Sequence, residues 1–246
     1  MTMIPHIIHQ TGPADKTYWH PVWFEGQKAW AELYPTFYRM TWDDSDIDAL
    51  IEHKYPYHWK RYINMHLHAL RIDVSRLFIL HQYGGIYADL DYIPLRHFYS
   101  ELNGDFCAVG AYTNDEVVQN SLMASVQLND DVLTVIDRIF DEYDRVGKDI
   151  DMTYDDYVRT ISGPIAISRN LGLFNNLQIL DNKLFNPDHT AQHGPEIRGK
   201  HMLTGIWGQD IIGLYDTKEE YFEKQMEWYK KARTHDYTHY RPLDAA

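Results

Sequence analysis

Apolar residues along this chain fall into two rhythms, helical spacing over long segments and short continuous runs between them, which is the pattern of an α/β fold. Met3 to Gly12 is a short apolar run ending in polar residues and a glycine, and it predicts a first parallel strand. An aromatic-rich helical segment runs from Thr17 to Leu33, closed by Pro35, and a strand follows from Phe37 to Trp42. Asp43 to Asp46 then offers caps for a next helix. From His58 to Gln82 the pattern is helical, with Ile63, Leu67, Leu70, Val74, Leu77 and His81 on one stripe. Gly84 and Gly85 stop that helix, and Ile86-Tyr87-Ala88 reads as a short buried strand.

The second half continues the alternation. Asp105 to Tyr112 predicts a strand, and Asp130 to Arg145 predicts an amphipathic helix with Val132, Val135, Ile136, Ile139 and Phe140 inward. Ser162-Gly163-Pro164-Ile165 starts a further helix, with proline where its missing N–H does no harm. Ile179 to Asp181 and Lys183 to Pro187 read as a late edge strand and loop. Lys218 to Arg233 predicts a polar helix with Tyr221, Phe222, Met226 and Tyr229 as its apolar stripe.

The 246 residues suit one domain spanning 1–246, with about 218–246 as a helical extension. A net charge of −13 argues against nonspecific nucleic-acid binding, which needs a surplus of Lys and Arg. The lone Cys107 excludes an intramolecular disulfide, fits a reducing compartment, and sits in an apolar run that predicts an inert buried thiol. No leader pattern and no apolar run long enough to span a bilayer is visible, so the expectation is a soluble, cytoplasmic protein. Lys224, Lys230, Lys231 and Arg233 among aromatics leave room for a peripheral membrane contact.

The chemistry concentrates at Asp89 and Asp91. Side chains alternate along a strand, so the two carboxylates are expected on one face, where they repel unless a cation lies near them. Such oxygen ligands suit Mn²⁺ or Mg²⁺, ions that keep positions open for substrate phosphates. A divalent ion would supply the local positive charge that such a pair needs. Upstream, Asp73 and Arg76 are three apart on a helix and therefore neighbours; on the residues alone they read as an intrahelical salt bridge. His66 and His68 diverge on a helix and are rejected as a metal site.

The run from Leu70 to Asp91 resembles the DXD sugar-binding region of the glycosyltransferase family that holds yeast initiating mannosyltransferases, α-1,4-galactosyltransferases and inositol-phosphoceramide mannosyltransferases, a core shared with the clostridial glucosylating toxins. An S/A-D-x-x-R helix precedes G-G-x-Y-x-D-x-D there; here Ile72 replaces the small residue. The opening strand is similar to I-P-K-I-I-H-Q-T-W, with His6 and Gly12 as departures, and Trp42 resembles a W-x-D element. Asn120 to Ser125 resembles N-x-x-M-A-S and Ser162-Gly163-Pro164 resembles T-G-P. His201 to Trp207 resembles H-x-x-x-G-S-W, with Ile206 in place of the serine.

The resemblance implies a GT-A-type α/β fold, a mixed, mostly parallel sheet flanked by helices. It implies a metal-dependent retaining transfer of a hexose from a UDP- or GDP-sugar to a hydroxyl of a glycan, lipid or protein. Within it, Ile8, His9 and Gln10 would wall the base and ribose pocket, Trp42 would stack on the base, and Tyr87 would stand beside the donor. Asp73 and Arg76 would orient the sugar, and Asp91 would bind Mn²⁺ or Mg²⁺ directly. Asp89 would hold ribose, a sugar hydroxyl or a metal-bound water, His201 would complete the metal site, and Trp207 would close over the diphosphate. A haloacid-dehalogenase-like phosphatase also uses Asp-x-Asp after a strand, but in its first strand, whereas here the pair lies in mid-chain. A sugar-nucleotide-binding module without turnover is the non-enzymatic alternative.

Overall fold

A computed structural model describes residues 3–16, 19–111, 117–147, 152–187 and 194–202. Trp207, the helix expected over Lys218 to Arg233 and the rest of the extension expected at about 218–246 lie outside them. Six strands form one sheet: β1 (Ile7–Thr11), β2 (Tyr38–Trp42), β3 (Gly85–Ala88), β5 (Phe106–Gly110), β6 (Val118–Ser125) and β7 (Leu177–Leu180), in the order β2-β1-β3-β6-β5-β7. β1 runs parallel to β2 and β3, and β5 parallel to β7, while β6 is antiparallel to both its neighbours. The sheet is thus mixed and mostly parallel, as expected. A separate two-stranded antiparallel ribbon pairs β4 (Tyr92–Pro94) with β8 (Gly199–His201), and no pattern in the sequence announces it.

Helices cover both faces. α4 (His68–Tyr83) and α5 (Asp130–Val146) pack on one side, where Leu70, Val74, Phe78, Ile136 and Phe140 meet Tyr87, Phe106 and Met123. On the other side α1 (Pro21–Leu33) sends Trp30 against Ile8, Ile86 and Tyr92. α2 (Asp44–Lys54) starts at a capping box in which Asp43 and Asp46 satisfy each other's backbone N–H groups, the role expected of that acidic run. α6 (Tyr154–Ile161), α7 (Pro164–Arg169) and α8 (Asn182–Phe185) complete the layers; α8 occupies the stretch expected as loop.

The long helix expected over 58–82 is two helices, α3 (Pro56–Ile63) and α4, with a break between them. Tyr143 of α5 fills that break: its hydroxyl donates to the Asn64 carbonyl and accepts the His66 N–H, both at 3.1 Å. α4 is buried around its whole circumference from His68 to His81, so a single apolar stripe understates its place at the centre of the domain. It ends at Gly84, whose φ of 63° and whose hypothetical Cβ, 2.7 Å from Pro5 and from the Gln127 nitrogen, exclude other residues. The chain then enters β3 alongside β1. No helix among the described residues is long and apolar enough to cross a membrane.

Candidate active site

β3 ends where its pairing with β6 ends, at Ala88 opposite Leu122. Asp89 then donates its N–H to the Ser121 carbonyl at 2.9 Å, and Tyr92 donates back to the Asp89 carbonyl at 2.9 Å, closing a turn over Asp89–Tyr92. Gln10 Nε2 donates to that same Asp89 carbonyl at 3.3 Å. The two aspartates therefore approach each other through a turn, which corrects the expectation of strand alternation: the strand is too short to contain them.

β8 delivers His201 to this turn. His201 pairs with Tyr92 across the ribbon, and Met202 donates its N–H to the Asp91 carbonyl at 3.0 Å. The imidazole Nε2 lies 3.0 Å from Asp91 Oδ1 and 3.8 Å from Asp89 Oδ2. One ligand atom from each of Asp89, Asp91 and His201 lies within 4.8 Å of the others. Asn186 holds the His201 backbone by accepting its N–H at 3.3 Å, a contact that no sequence signal announced.

Behind the cluster stands a buried polar network. Tyr87 donates its hydroxyl proton to Asp89 Oδ1 at 3.0 Å, so the Thr11 hydroxyl at 2.8 Å must be donating to Tyr87. Arg76 lies 3.2 Å from Asp89, 3.3 Å from Asp73 and 3.0 Å from the Asn120 carbonyl, with its guanidinium 5.2 Å from the Tyr87 ring centre. Asp73 in turn accepts from Asn120 Nδ2 at 2.9 Å and from the Ser162 hydroxyl at 3.1 Å. Asn120 lies where the β5–β6 register shifts: Ala108 pairs with Met123 but the next residue, Val109, pairs with Gln119.

Burial raises the carboxyl pKa of both Asp73 and Asp89, and the Arg76 charge beside them offsets this only in part. Burial by itself would lower the His201 pKa, but the hydrogen bond and charge of Asp91, with the charge of Asp89, carry it upward. Three carboxylates thus face one guanidinium and one imidazole. Two carboxylates and an imidazole form a donor set that fits a divalent cation, and its positive charge is what the cluster lacks.

The other predicted residues sit deeper. Ile8 is buried in the core against Ile86 and Ala88. His9 accepts the Trp42 indole N–H on Nδ1 at 3.1 Å, which leaves Nε2 to donate to the Gly84 carbonyl at 2.9 Å. Both rings are buried, and their hydrogen-bonding atoms are spent inside the protein, so as placed they brace α4 against β1 and β2 and present no polar atom to a nucleotide. Tyr87 is likewise buried and meets the site through its hydroxyl on Asp89 and its ring beneath Arg76.

Residues 21–109 match the family described as glycosyltransferase sugar-binding region containing DXD motif. That stretch is similar to the DXD-containing sugar-binding regions of glycosyltransferases. Inositol phosphoceramide mannosyltransferase 3 of Schizosaccharomyces pombe is 38% identical over 88 residues, which are 36% of this chain and 24% of that protein. Mannosyl phosphorylinositol ceramide synthase SUR1 of Saccharomyces cerevisiae is 36% identical over 89 residues, 36% of this chain and 23% of its own. The chain therefore spans about a quarter of the length of these curated relatives. Among solved structures, the PaToxG glycosyltransferase superposes with a TM-score of 0.52 at 16% identity, over 68% of this chain and 69% of its own. The ligand-free glycosyltransferase domain of the YGT toxin gives 0.53 at 9% identity, over 70% and 78%. The fold is accordingly the GT-A-type α/β fold. The sugar-binding region supplies Asp73, Arg76, Asp89 and Asp91, while Asn120, Ser162 and His201 come from beyond its last matched residue.

Proposed function

We propose that the chain is a metal-dependent retaining glycosyltransferase that moves a hexose from a UDP- or GDP-sugar to a hydroxyl of a glycan, lipid or protein acceptor. The convergence of Asp89, Asp91 and His201 at the carboxyl end of β3, with Arg76 behind them, carries this reading. Ligands of open α/β sheets bind beyond the carboxyl ends of the strands, which is where this cluster lies. Asp89, Asp91 and His201 would hold Mn²⁺ or Mg²⁺. An ion bound there would supply positive charge for a departing diphosphate.

The remaining roles fall to the protein. Asp73 and Arg76 orient the donor sugar, with Arg76 held in place by Asp89 and by the Asn120 carbonyl. Thr11 and Tyr87 keep one Asp89 oxygen occupied, so that the other faces His201. Gln10 fixes the backbone of the turn beneath them. The role expected of Trp207 at the diphosphate falls on a residue outside the described ones. The names of the yeast relatives favour mannose as the hexose and a phosphoinositol lipid as acceptor.

A thermal-shift panel of UDP- and GDP-hexoses with and without Mn²⁺ tests the proposal, since a ligand that binds only the native state raises apparent stability. One donor should raise the melting temperature only when Mn²⁺ or Mg²⁺ is present. Equal shifts with and without metal, or none from any donor, would contradict it.

A further inference from the structure

Leu90, the residue between the two aspartates, is enclosed by residues that supply no ligand. Trp19 and Trp23 bury it in a small cluster apart from the two main cores. The space beside it is kept by two glycines. A Cβ on Gly12 would lie 2.3 Å from Leu90 Cδ1, and a Cβ on Gly26 would lie 2.7 Å from the Leu90 carbonyl oxygen and 3.4 Å from that of Tyr92. Trp30, one helical turn beyond Gly26 on α1, donates its indole N–H to the Tyr92 carbonyl at 3.2 Å. Trp19 is fixed in turn by donating to the Pro13 carbonyl at 2.7 Å. Helix α1 thus lies against the backbone of the turn that carries both carboxylates, close enough that a single methyl group does not fit.

We propose that α1 sets the separation of Asp89 and Asp91 by clamping the Leu90 peptide, with Gly26 and Leu90 as positioning residues for the divalent ion. The inference rests on the reading of Asp89, Asp91 and His201 as the metal site. A methyl group on Gly26 meets a backbone oxygen and not the end of a flexible side chain, so the turn must move. A cavity in place of Leu90 frees the same peptide from the other direction. Both changes alter where the carboxylates stand while leaving Asp89, Asp91 and His201 themselves unsubstituted.

Direct Mn²⁺ and Ca²⁺ titrations of the full chain by calorimetry, with no donor present, test this. Wild type should bind Mn²⁺, and Gly26→Ala and Leu90→Ala should each bind it about tenfold more weakly, the scale of losses when groups that orient ligands are removed. Leu90→Met, which refills the space, should restore binding. Loosened carboxylates should also favour the larger, less geometrically demanding Ca²⁺, so the ratio of Ca²⁺ to Mn²⁺ affinity should rise by roughly threefold or more in both Ala variants. A change in stability alone leaves that ratio unmoved. Should Gly26→Ala not fold, Leu90→Ala and Leu90→Met decide the matter. Wild-type affinities and an unchanged ratio in the folded Ala variants would overturn the clamp while leaving the metal site standing. A wild-type chain that binds no divalent ion would overturn the metal site and the clamp with it.

Discussion

Replacing Asp73 by alanine should cost far more stability than an exposed intrahelical ion pair would. The carboxylate is buried, with Asn120 Nδ2 at 2.9 Å, the Ser162 hydroxyl at 3.1 Å and Arg76 at 3.3 Å. Truncation strands two buried donors, at about 1–3 kcal/mol each. It also removes one of the two carboxylates that neutralise Arg76, although Asp89 remains at 3.2 Å. Removing one partner from a buried ion pair costs about 3–5 kcal/mol. Part of this is returned, because burial already disfavours the charged form of Asp73 and raises its pKa. The net expectation is a loss of about 3–5 kcal/mol out of a total of about 5–15 kcal/mol for a domain. Ser162→Ala, which removes one hydrogen bond to a charged group, should cost about 1.5–3 kcal/mol. Urea unfolding followed by circular dichroism measures both. A loss below about 1 kcal/mol for Asp73→Ala, the worth of a surface pair, would refute the argument that this network anchors α4 to β6 and α6. At temperatures where the variant stays folded, it should lose affinity for a whole nucleotide sugar more than for the free nucleoside diphosphate.

Two further expectations are independent of the reaction. Burial pulls the His9 imidazole down to about 4, against a smaller opposing effect of its hydrogen bond to Gly84. The unfolded chain takes up that proton near pH 6.5 and the native chain only near 4, so stability present above pH 6.5 is lost as the pH falls between those values, by about 3 kcal/mol in full. His9→Gln should lack this part of the pH slope in chemical denaturation; an identical slope would show that His9 is not held neutral. Leu128 is an exposed leucine with φ of 55° at the turn into α5, and Leu128→Gly should raise stability by about 1 kcal/mol in the same urea assay, with a decrease counting against strain there.

Much of the fold was legible because periodicity and punctuation agreed. The Asp130 helix, the Gly84-Gly85 stop and the Asp43 cap all stand where the sequence put them, since each is decided by residues close together in the chain. The break at Asn64 was not legible, because it is held by Tyr143 from another helix. Nor was the β4–β8 ribbon, whose two strands are only three residues each and carry no alternation to read. At the site, Asp73, Arg76, Asp89, Asp91 and His201 were all named from the sequence and do meet. Thr11, Asn186 and Gly26 were not named: a hydroxyl, an amide and a missing side chain acquire their roles only from what tertiary structure sets beside them. The hydrogen bond between His9 and Trp42 across β1 and β2 was likewise not legible, because it joins residues from two strands.

If Asp89, Asp91 and His201 hold the proposed divalent ion, turnover of a nucleotide sugar depends on it. Release of free nucleoside diphosphate from the donor found in the thermal-shift panel measures it, with the chain stripped by chelation, resupplied with Mn²⁺, and compared with Asp91→Asn shown by circular dichroism to be folded. Release should vanish on chelation, return with Mn²⁺ or Mg²⁺, and be nearly abolished in Asp91→Asn. Undiminished release from the stripped chain, or from the folded Asp91→Asn variant with metal present, would contradict it.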